Sequence, residues 1–198
     1  MYRLTPLMTQ RLRRDLGRYH DLFSAKRCSG WELEELIHRA ILSDNSAQHH
    51  SRWKEAGHDT EADIEVSVNG DIHRLQIKSG KLVKNNLVLS GHRLGRFNGS
   101  LAGISNYLND QCRKTEILAV PHHTIDDESG RRHCYQIAYV DAFCLGGLRS
   151  GAWHKHGKQY RQINEHGVLF SLRPSMSWQI WWHIPLHAID LSERFCVG

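Results

Sequence analysis

The apolar positions near the start of the chain repeat with the spacing of amphipathic helices. In residues 7–24, Leu12 and Leu16 belong to a series of apolar residues at near-helical intervals, with arginines on the other faces. After a break at Gly30, the segment WELEELIHRAIL again places its apolar residues on one face. The sequence therefore predicts two helices here. The polar residues 44–58 that follow are interpreted as a loop.

The apolar pattern then changes to a period of two, which is typical of strands. The segment DIEVSV alternates apolar and polar residues, and Asn69-Gly70 is a strong signal for a two-residue hairpin turn into IHRLQIK. Further strands are predicted at NNLVLS, EILAVP and RHCYQIAYV. A helix capped by Ser100 (SLAGISNYLNDQC) precedes the second of these, and the last quarter, including SWQIWWHIPL, is strand-rich and aromatic. We expect its tryptophans to pack mainly in the core.

This order of elements predicts one mixed α/β domain over residues 1–198, with a sheet flanked by helices. We expect a core at about residues 30–140 and a β-rich C-terminal part at about residues 150–198. The composition adds one expectation to this picture, which concerns the binding partner. The chain has a net charge of +5, 15 histidines and a pI of about 9.0. These values favour a polyanionic binding partner, although an ordinary basic protein would show the same values.

Cysteines and apolar runs bear on the cellular compartment. The five cysteines are scattered and never spaced as CxxC, so they indicate neither a disulfide framework nor a four-cysteine zinc site. The N-terminus has no apolar region of a secretory signal, and no apolar run reaches the length of a membrane span. We therefore expect a reduced, cytoplasmic protein that does not contact a membrane.

Polar residues in the predicted hairpin are the main candidates for chemistry. Asp63 begins one strand and Lys78 ends its antiparallel neighbour, so the tight turn brings them to the same end of the sheet. Gln76 and Lys78 are two residues apart and share a face. Asp59 and Glu61 compete with Asp63 for the acidic role, but they precede the alternating strand. A surface hairpin with solvated polar side chains is the structural alternative.

This arrangement resembles the PD-(D/E)XK nuclease family, which includes many restriction endonucleases. The resemblance covers about residues 30–78, with a compatible element order to about residue 120. Asp63 matches the acidic residue of the first half-motif, Gln76-Ile77-Lys78 matches the (D/E)XK element in a QXK form, and Glu34 in GWELEELI matches the helical glutamate. Two departures are present: Ala62 replaces the proline, and Gln76 replaces a carboxylate.

The resemblance implies a restriction-endonuclease-like fold and a magnesium-dependent reaction on DNA. Asp63, Gln76, Ile77 and Glu34 would hold Mg²⁺, with Mn²⁺ as a substitute, and Lys78 would supply positive charge beside the phosphate. The short chain favours a type II restriction enzyme that acts on double-stranded DNA as a homodimer. The alternatives are a structure-specific repair, recombination or phage nuclease of the same fold, and a non-catalytic DNA-binding protein.

Two basic segments are candidates for contacts with DNA. Side chains that can donate to phosphates or base edges occur in both segments. They are Lys81, His92, Arg93, Arg96 and Asn98 in the first, and Lys155, Lys158 and Arg161 in the second. An HNH-type site could also be drawn from His154, His156, Asn164 and His166, but their spacing is irregular.

Overall fold

Helices in the computed structural model begin and end close to the predicted residues. The described residues are 1–44, 49–53, 62–128 and 130–198, with the backbone alone at His49. Thr5 caps the first helix through its hydroxyl, and Pro6 occupies its first turn, where no backbone N–H is needed. The predicted cap at Ser100 is confirmed, because its hydroxyl accepts a hydrogen bond from Gly103 N (3.2 Å). The α-helices are α1 Pro6–Leu22, α2 Trp31–Leu42 and α3 Leu101–Gln111.

Most of the described chain is in strands. In chain order they are β1 His49–Trp53, β2 Ile64–Val68, β3 Asp71–Val83, β4 Asn86–Arg93, β5 Glu116–Asp127, β6 Gly130–Tyr135, β7 Ala138–Val140, β8 His154–His156, β9 Gln159–Ile163, β10 Leu169–Arg173, β11 Gln179–Pro185, β12 Asp190–Leu191 and β13 Phe195–Val197. The main sheet has the order β12-β7-β5-β3-β4-β11-β10-β9-β8. In addition, β2 joins β1 to β3, and β6 joins β13 to β5. The expected mixed α/β class is confirmed, with a β-rich C-terminal part.

Strand β3 is the centre of the sheet. It pairs in parallel with β5, which follows it through β4 and α3, and antiparallel with β2 and β4. The predicted turn between β2 and β3 is confirmed: Val68 faces Asp71 across a two-residue turn. Asn69 and Gly70 have φ angles of 52° and 91°, the left-handed conformations that Asn-Gly adopts readily.

Two hydrophobic cores cover the two faces of the sheet. Helices α1 and α2 pack on one face against alternate residues of β2 and β3, among them Ile64, Leu75 and Ile77. Helix α3 and the C-terminal strands form the other core, which includes Ile117 and Trp182. Strand β11 carries the tryptophan-rich segment and has a neighbour on each side, which supports the expected use of its tryptophans in the core.

Two predictions about local structure are wrong. Residues 49–53 form β1, paired antiparallel with β2, although their polar sequence suggested a loop. Pairing with an alternating strand overrides their weak propensity. The other residues of the predicted loop, 45–48 and 54–58, lie outside the described ranges. The segment RHCYQIAYV forms two strands, β6 and β7, because the chain breaks at Gln136, whose N–H bonds to Pro121 O (3.2 Å).

Candidate active site on strand β3

Asp63 lies immediately before β2 and is fixed against β3. Its backbone N–H donates to Leu75 O (2.9 Å), and its carboxylate Oδ2 accepts the Ile77 N–H (2.7 Å). The Lys78 Nζ lies 3.6 Å from the same carboxylate oxygen. The Asp63 and Lys78 side chains keep 22% and 21% of their surface exposed, so a substrate can reach both. The structure therefore brings Asp63 and Lys78 together. The competing acidic residues at 59 and 61 lie outside the described ranges.

The pair lies beside an unpaired stretch of β3. One side of β3 is bonded to β5 over residues 75–80, whereas the other side pairs with β2 over residues 71–75 and with β4 over residues 80–83. Within the described residues, no strand covers residues 76–79 on that second side. On this side, the Asp63 carboxylate accepts the hydrogen bond that the Ile77 N–H would otherwise donate to a neighbouring strand. Because the N–H and C=O of a strand residue point to the same side, the Ile77 carbonyl also faces this gap.

Oxygen donors at the gap fit a hard divalent cation. Mg²⁺ in enzymes that act on phosphates is commonly bound by one or two carboxylates together with substrate oxygens. The carboxylate of Asp63 and the carbonyl of Ile77 provide such oxygens on one side of β3. These two oxygens therefore suit Mg²⁺ or Mn²⁺ in a site where phosphate oxygens of a substrate supply further ligands.

Gln76 lies deeper than the pair. Its side chain is only 4% exposed and lines a cavity of about 20 Å³, together with residues that include His92, Leu108, Ile117 and Trp182. A volume of this size holds about one water molecule. Gln76 shares the α3 face of the sheet with Lys78, as their spacing predicts. Gln76 is therefore a buried polar residue in the cavity on the α3 face of β3.

His92 reaches the same cavity because of a β-bulge in β4. The register between β4 and β11 shifts at this point, so that Gly91 and His92 together face Ile180. A bulge re-aims the side chain next to it. A Cβ at Gly91 would lie 2.6 Å from Ile180 Cγ2 and 2.7 Å from the Trp182 ring, so glycine is required for this close approach.

The imidazole of His92 is uncharged at neutral pH. Its ring packs edge-on against the rings of Tyr107 and Trp182, at centroid distances of 5.7 and 6.3 Å. Burial, followed by the positive charge of Lys78, lowers the pKa of His92 to about 4. His92 was predicted to contact DNA. The structure places it in the cavity close to the pair of Asp63 and Lys78.

Glu34 approaches the sheet from the other face. It lies in the first turn of α2, is partly buried, and follows Leu33 in the helix that packs on β2 and β3 opposite to Gln76. The pairing of Asp63 with Lys78 forms from strand residues without it. The structure thus pairs Asp63 with Lys78 and places Gln76 on the same face of β3 as Lys78, while Glu34 belongs to the helix on the opposite face.

Most of the first group of predicted DNA contacts lies at or just after the end of β4, whereas Lys81 faces Val88 in the middle of that strand. Arg93 ends that strand and is exposed, and Lys81 is exposed on β3. Arg96 lies in the turn Gly95–Phe97, and its guanidinium stacks over the Tyr107 ring at 4.4 Å. Asn98 follows in a left-handed conformation with φ 47° and is exposed. These donors are accessible and continue from the strand that carries His92.

The second group lies far from the pair. Lys155 and Lys158 are exposed on the hairpin of β8 and β9, and Arg161 on β9 is half-buried. Strand β8 is separated from β4 by β11, β10 and β9. At about 4.8 Å between neighbouring strands, the separation is roughly 19 Å. Lys155 and Lys158 are therefore not adjacent to the gap along the sheet.

The HNH alternative has no support in the geometry. His154 and His156 are exposed on β8. The amide of Asn164 is buried and donates to Cys144 O (2.7 Å) and Gly146 O (2.8 Å). Asn164 thus holds a loop of the fold.

Two features around β5 and β6 were missed from the sequence. His20, His122 and His133 form a buried cluster, although their spacing matches no motif. Cys134 and Cys196 form a disulfide between β6 and β13, where they are directly opposite each other. The scattered cysteines gave no reason to expect this bond, since only the strand register makes the two residues neighbours.

Comparisons with known proteins add nothing to these observations. No family model, curated protein or solved structure matches the chain. The resemblance to PD-(D/E)XK nucleases therefore depends on the residues around β3 alone. In the ranges that the structure describes, no helix is long and apolar enough to cross a membrane.

Proposed function

We propose that the chain is a Mg²⁺-dependent endonuclease that hydrolyses phosphodiester bonds in double-stranded DNA, as a small type II restriction enzyme does. The observation that supports this best is the position of the Asp63 Oδ2, 2.7 Å from the Ile77 N and 3.6 Å from the Lys78 Nζ. An ordinary ion pair on a protein surface does not require an unpaired stretch of strand beside it. Here the pair stands where one side of β3 is not bonded to a described strand, so both groups are open to a substrate.

Each of these groups has a role in the proposed reaction. A Mg²⁺ ion bound at Asp63 would polarise the phosphate and lower the pKa of an attacking water. The Ile77 N–H fixes the Asp63 carboxylate before a substrate arrives, which reduces reorganisation during the reaction. The ammonium of Lys78 stabilises the negative charge that develops on the phosphate oxygens. Gln76 and neutral His92 act as positioning residues beneath Lys78.

DNA would be engaged through the exposed segment after β4. Arg93 and Arg96 extend from the edge of the gap, and the net charge of +5 favours a polyanion. We propose a homodimer on DNA, since the described chain contains one such pair and cutting both strands in one encounter needs two. Light scattering with and without DNA tests the dimer, and a monomer that accumulates nicked plasmid contradicts it.

The test of the function is digestion of a long DNA of known sequence with purified protein and Mg²⁺ or Mn²⁺, followed by sequencing of the product ends. Ends at one recurring short site support a restriction enzyme. Ends scattered or placed at junctions and flaps indicate the repair or recombination alternative. DNA binding without cleavage at any metal concentration indicates the non-catalytic alternative.

The variant Asp63→Asn tests, in the same assay, whether Asp63 belongs to the proposed catalytic centre. We expect cleavage to fall at least about a hundredfold, because a principal electrostatic group is removed, while DNA binding is retained. Asp110→Asn is the matched control, since Asp110 is an exposed aspartate on α3 that pairs with Lys114 (2.8 Å). Normal cleavage by folded Asp63→Asn would contradict the assignment.

A further inference from the structure

Three histidines from three elements meet in the interior, on the α1 side of the sheet. His20 lies in the last turn of α1, His122 on β5 and His133 on β6, and they are 3%, 9% and 2% exposed. One ring nitrogen from each lies within 4.8 Å of the other two. Histidines are seldom fully buried, and three together in one cluster require a reason.

Hydrogen bonds fix which nitrogens carry protons. His133 Nε2 lies 2.8 Å from the backbone oxygen of Ser24, which can only accept, so this nitrogen carries the proton. The lone pair of neutral His133 is therefore on Nδ1, 2.9 Å from His122 Nε2. In His20, Nδ1 faces the backbone oxygen of Phe23 (3.4 Å), which leaves the lone pair on Nε2. The lone pair of His133 is therefore directed at His122, and that of His20 at the hydroxyl of Tyr135.

The same contacts have the form of a second coordination shell. A histidine that binds a metal commonly donates its other N–H to a backbone carbonyl, which sets its orientation and tautomer. Ser24 and Phe23 provide such carbonyls for His133 and His20. The hydroxyl of Tyr135 lies 2.7 Å from His20 Nε2 and is an oxygen donor beside the cluster.

One of the distances between ring nitrogens in the cluster is close to that of a tetrahedral site. Nitrogens bound to zinc at about 2.0–2.1 Å are about 3.3 Å apart. His122 Nε2 and His133 Nδ1 are already at 2.9 Å. The ring of His20 is stacked on that of His133, with a centroid distance of 3.5 Å, and has to turn to direct its nitrogen at the same point.

Burial lowers the pKa of two of the three imidazoles. Burial, followed by the neighbouring His133, lowers the pKa of His20 to about 4. Burial, followed by the charge of Arg27, lowers the pKa of His122 to about 3. The guanidinium of Arg27, which donates to Gly80 O (2.8 Å), opposes a dication.

We propose that His20, His122 and His133 bind a transition-metal dication, Zn²⁺ in preference to Mg²⁺. Neutral imidazoles suit zinc, whereas Mg²⁺ requires oxygen ligands. On binding, the proton of His122 Nε2 moves to Nδ1 of the same ring. The ion would tie the end of α1 to the hairpin of β5 and β6, and it has no part in the reaction at Asp63.

The experiment uses untagged, full-length protein treated with EDTA and then titrated with Co²⁺, with Zn²⁺ as competitor. We expect one equivalent of Co²⁺ with the visible absorption of tetrahedral coordination, its displacement by Zn²⁺, and a higher Tm when Zn²⁺ is bound. Wild-type protein that takes up no equivalent of either metal after gel filtration would refute the site without any variant.

Variants locate the ion. Glutamine in place of His20, His122 or His133 should weaken binding at least about tenfold. His123→Gln is the matched control, because it is the exposed neighbour of His122 on β5, and it should bind as the wild type does. Asp63→Asn should also keep the cobalt spectrum, which separates this site from the proposed nuclease centre. Full binding by His20→Gln and His133→Gln would show that the ion lies elsewhere and overturn the proposal.

Discussion

Replacing Gly91 by alanine should destabilise the protein and displace the bulge that holds His92. The added methyl group would lie 2.6 Å from Ile180 Cγ2 and 2.7 Å from the Trp182 ring. Real carbon–carbon contacts are optimal at about 3.5–4.0 Å, so a shift of about 1 Å is required. Ile180 and Trp182 are both buried in the core on the α3 face, where neighbours leave little room to move.

The size of the effect follows from the cost of an overpacked core. Inserting one methyl group into a well-packed interior costs about 1–3 kcal/mol. In a protein of this size, each kcal/mol lowers Tm by about 2–4 °C. We therefore expect Tm to fall by about 2–12 °C. Cleavage by the folded variant should also decrease, because His92 and Gln76 line one cavity.

Thermal and urea unfolding, followed by circular dichroism, measure this change. Gly151→Ala is the matched control: no atom lies within 4 Å of the added methyl group, and Gly151 has no left-handed φ. That variant should have the stability of the wild type or slightly more. A Gly91→Ala protein with unchanged Tm and midpoint would show that the bulge is not tightly packed and refute the reasoning.

The remaining predictions concern the candidate site and the buried histidines. Lys78→Ala should lose most cleavage with little change in metal affinity, and Lys78→Arg should restore little, because a planar guanidinium does not replace a compact ammonium; normal cleavage by Lys78→Ala in a plasmid assay would mean that the hairpin is structural. Gln76→Glu should keep some activity and shift the Mg²⁺ or Mn²⁺ concentration required, because it adds a negative charge two residues from Lys78 on the same face of β3, whereas a titration identical to that of the wild type would show that Gln76 does not influence the site. Arg93→Ala and Arg96→Ala should weaken DNA binding. The slope of log affinity against log salt should fall by about one unit for each arginine that binds a phosphate. Unchanged DNA binding by both variants in a filter-binding assay would assign the DNA contact to the hairpin of β8 and β9 instead. The free energy of unfolding of metal-free protein should fall as the pH decreases from about 6.5 to 4, because the unfolded chain takes up protons that His20 does not bind in the folded state. Urea unfolding at several pH values checks this, and an equal pH dependence in His20→Gln would contradict it.

Local patterns made the hairpin predictable. The alternation in β2, the Asn69-Gly70 turn and the spacing of Gln76 and Lys78 all depend on residues within about twenty positions of one another. The same is true of the cap at Ser100 and the apolar stripes of α1 and α2. Secondary structure that depends only on neighbours in sequence can be predicted from sequence.

Other features could not be predicted, because strand register decides them. The bulge at Gly91 exists only because β11 pairs with β4, and no residue near position 91 indicates that partner. His20 and His122 are far apart in sequence, and Cys134 and Cys196 have a separation of 62. Strand β1 likewise forms from polar residues through its pairing with β2.

The hydrogen bond from Ile77 N–H to the Asp63 carboxylate makes one backbone amide a reporter of the site. In an ordinary sheet this N–H would bond to a neutral carbonyl, and its resonance would be insensitive to cations. Here its acceptor is a charged group, so the ¹⁵N–¹H peak of Ile77 should move when a cation reaches Asp63. A single resolved resonance would then give the affinity for Mg²⁺ or Mn²⁺ in the absence of DNA, before any substrate is known.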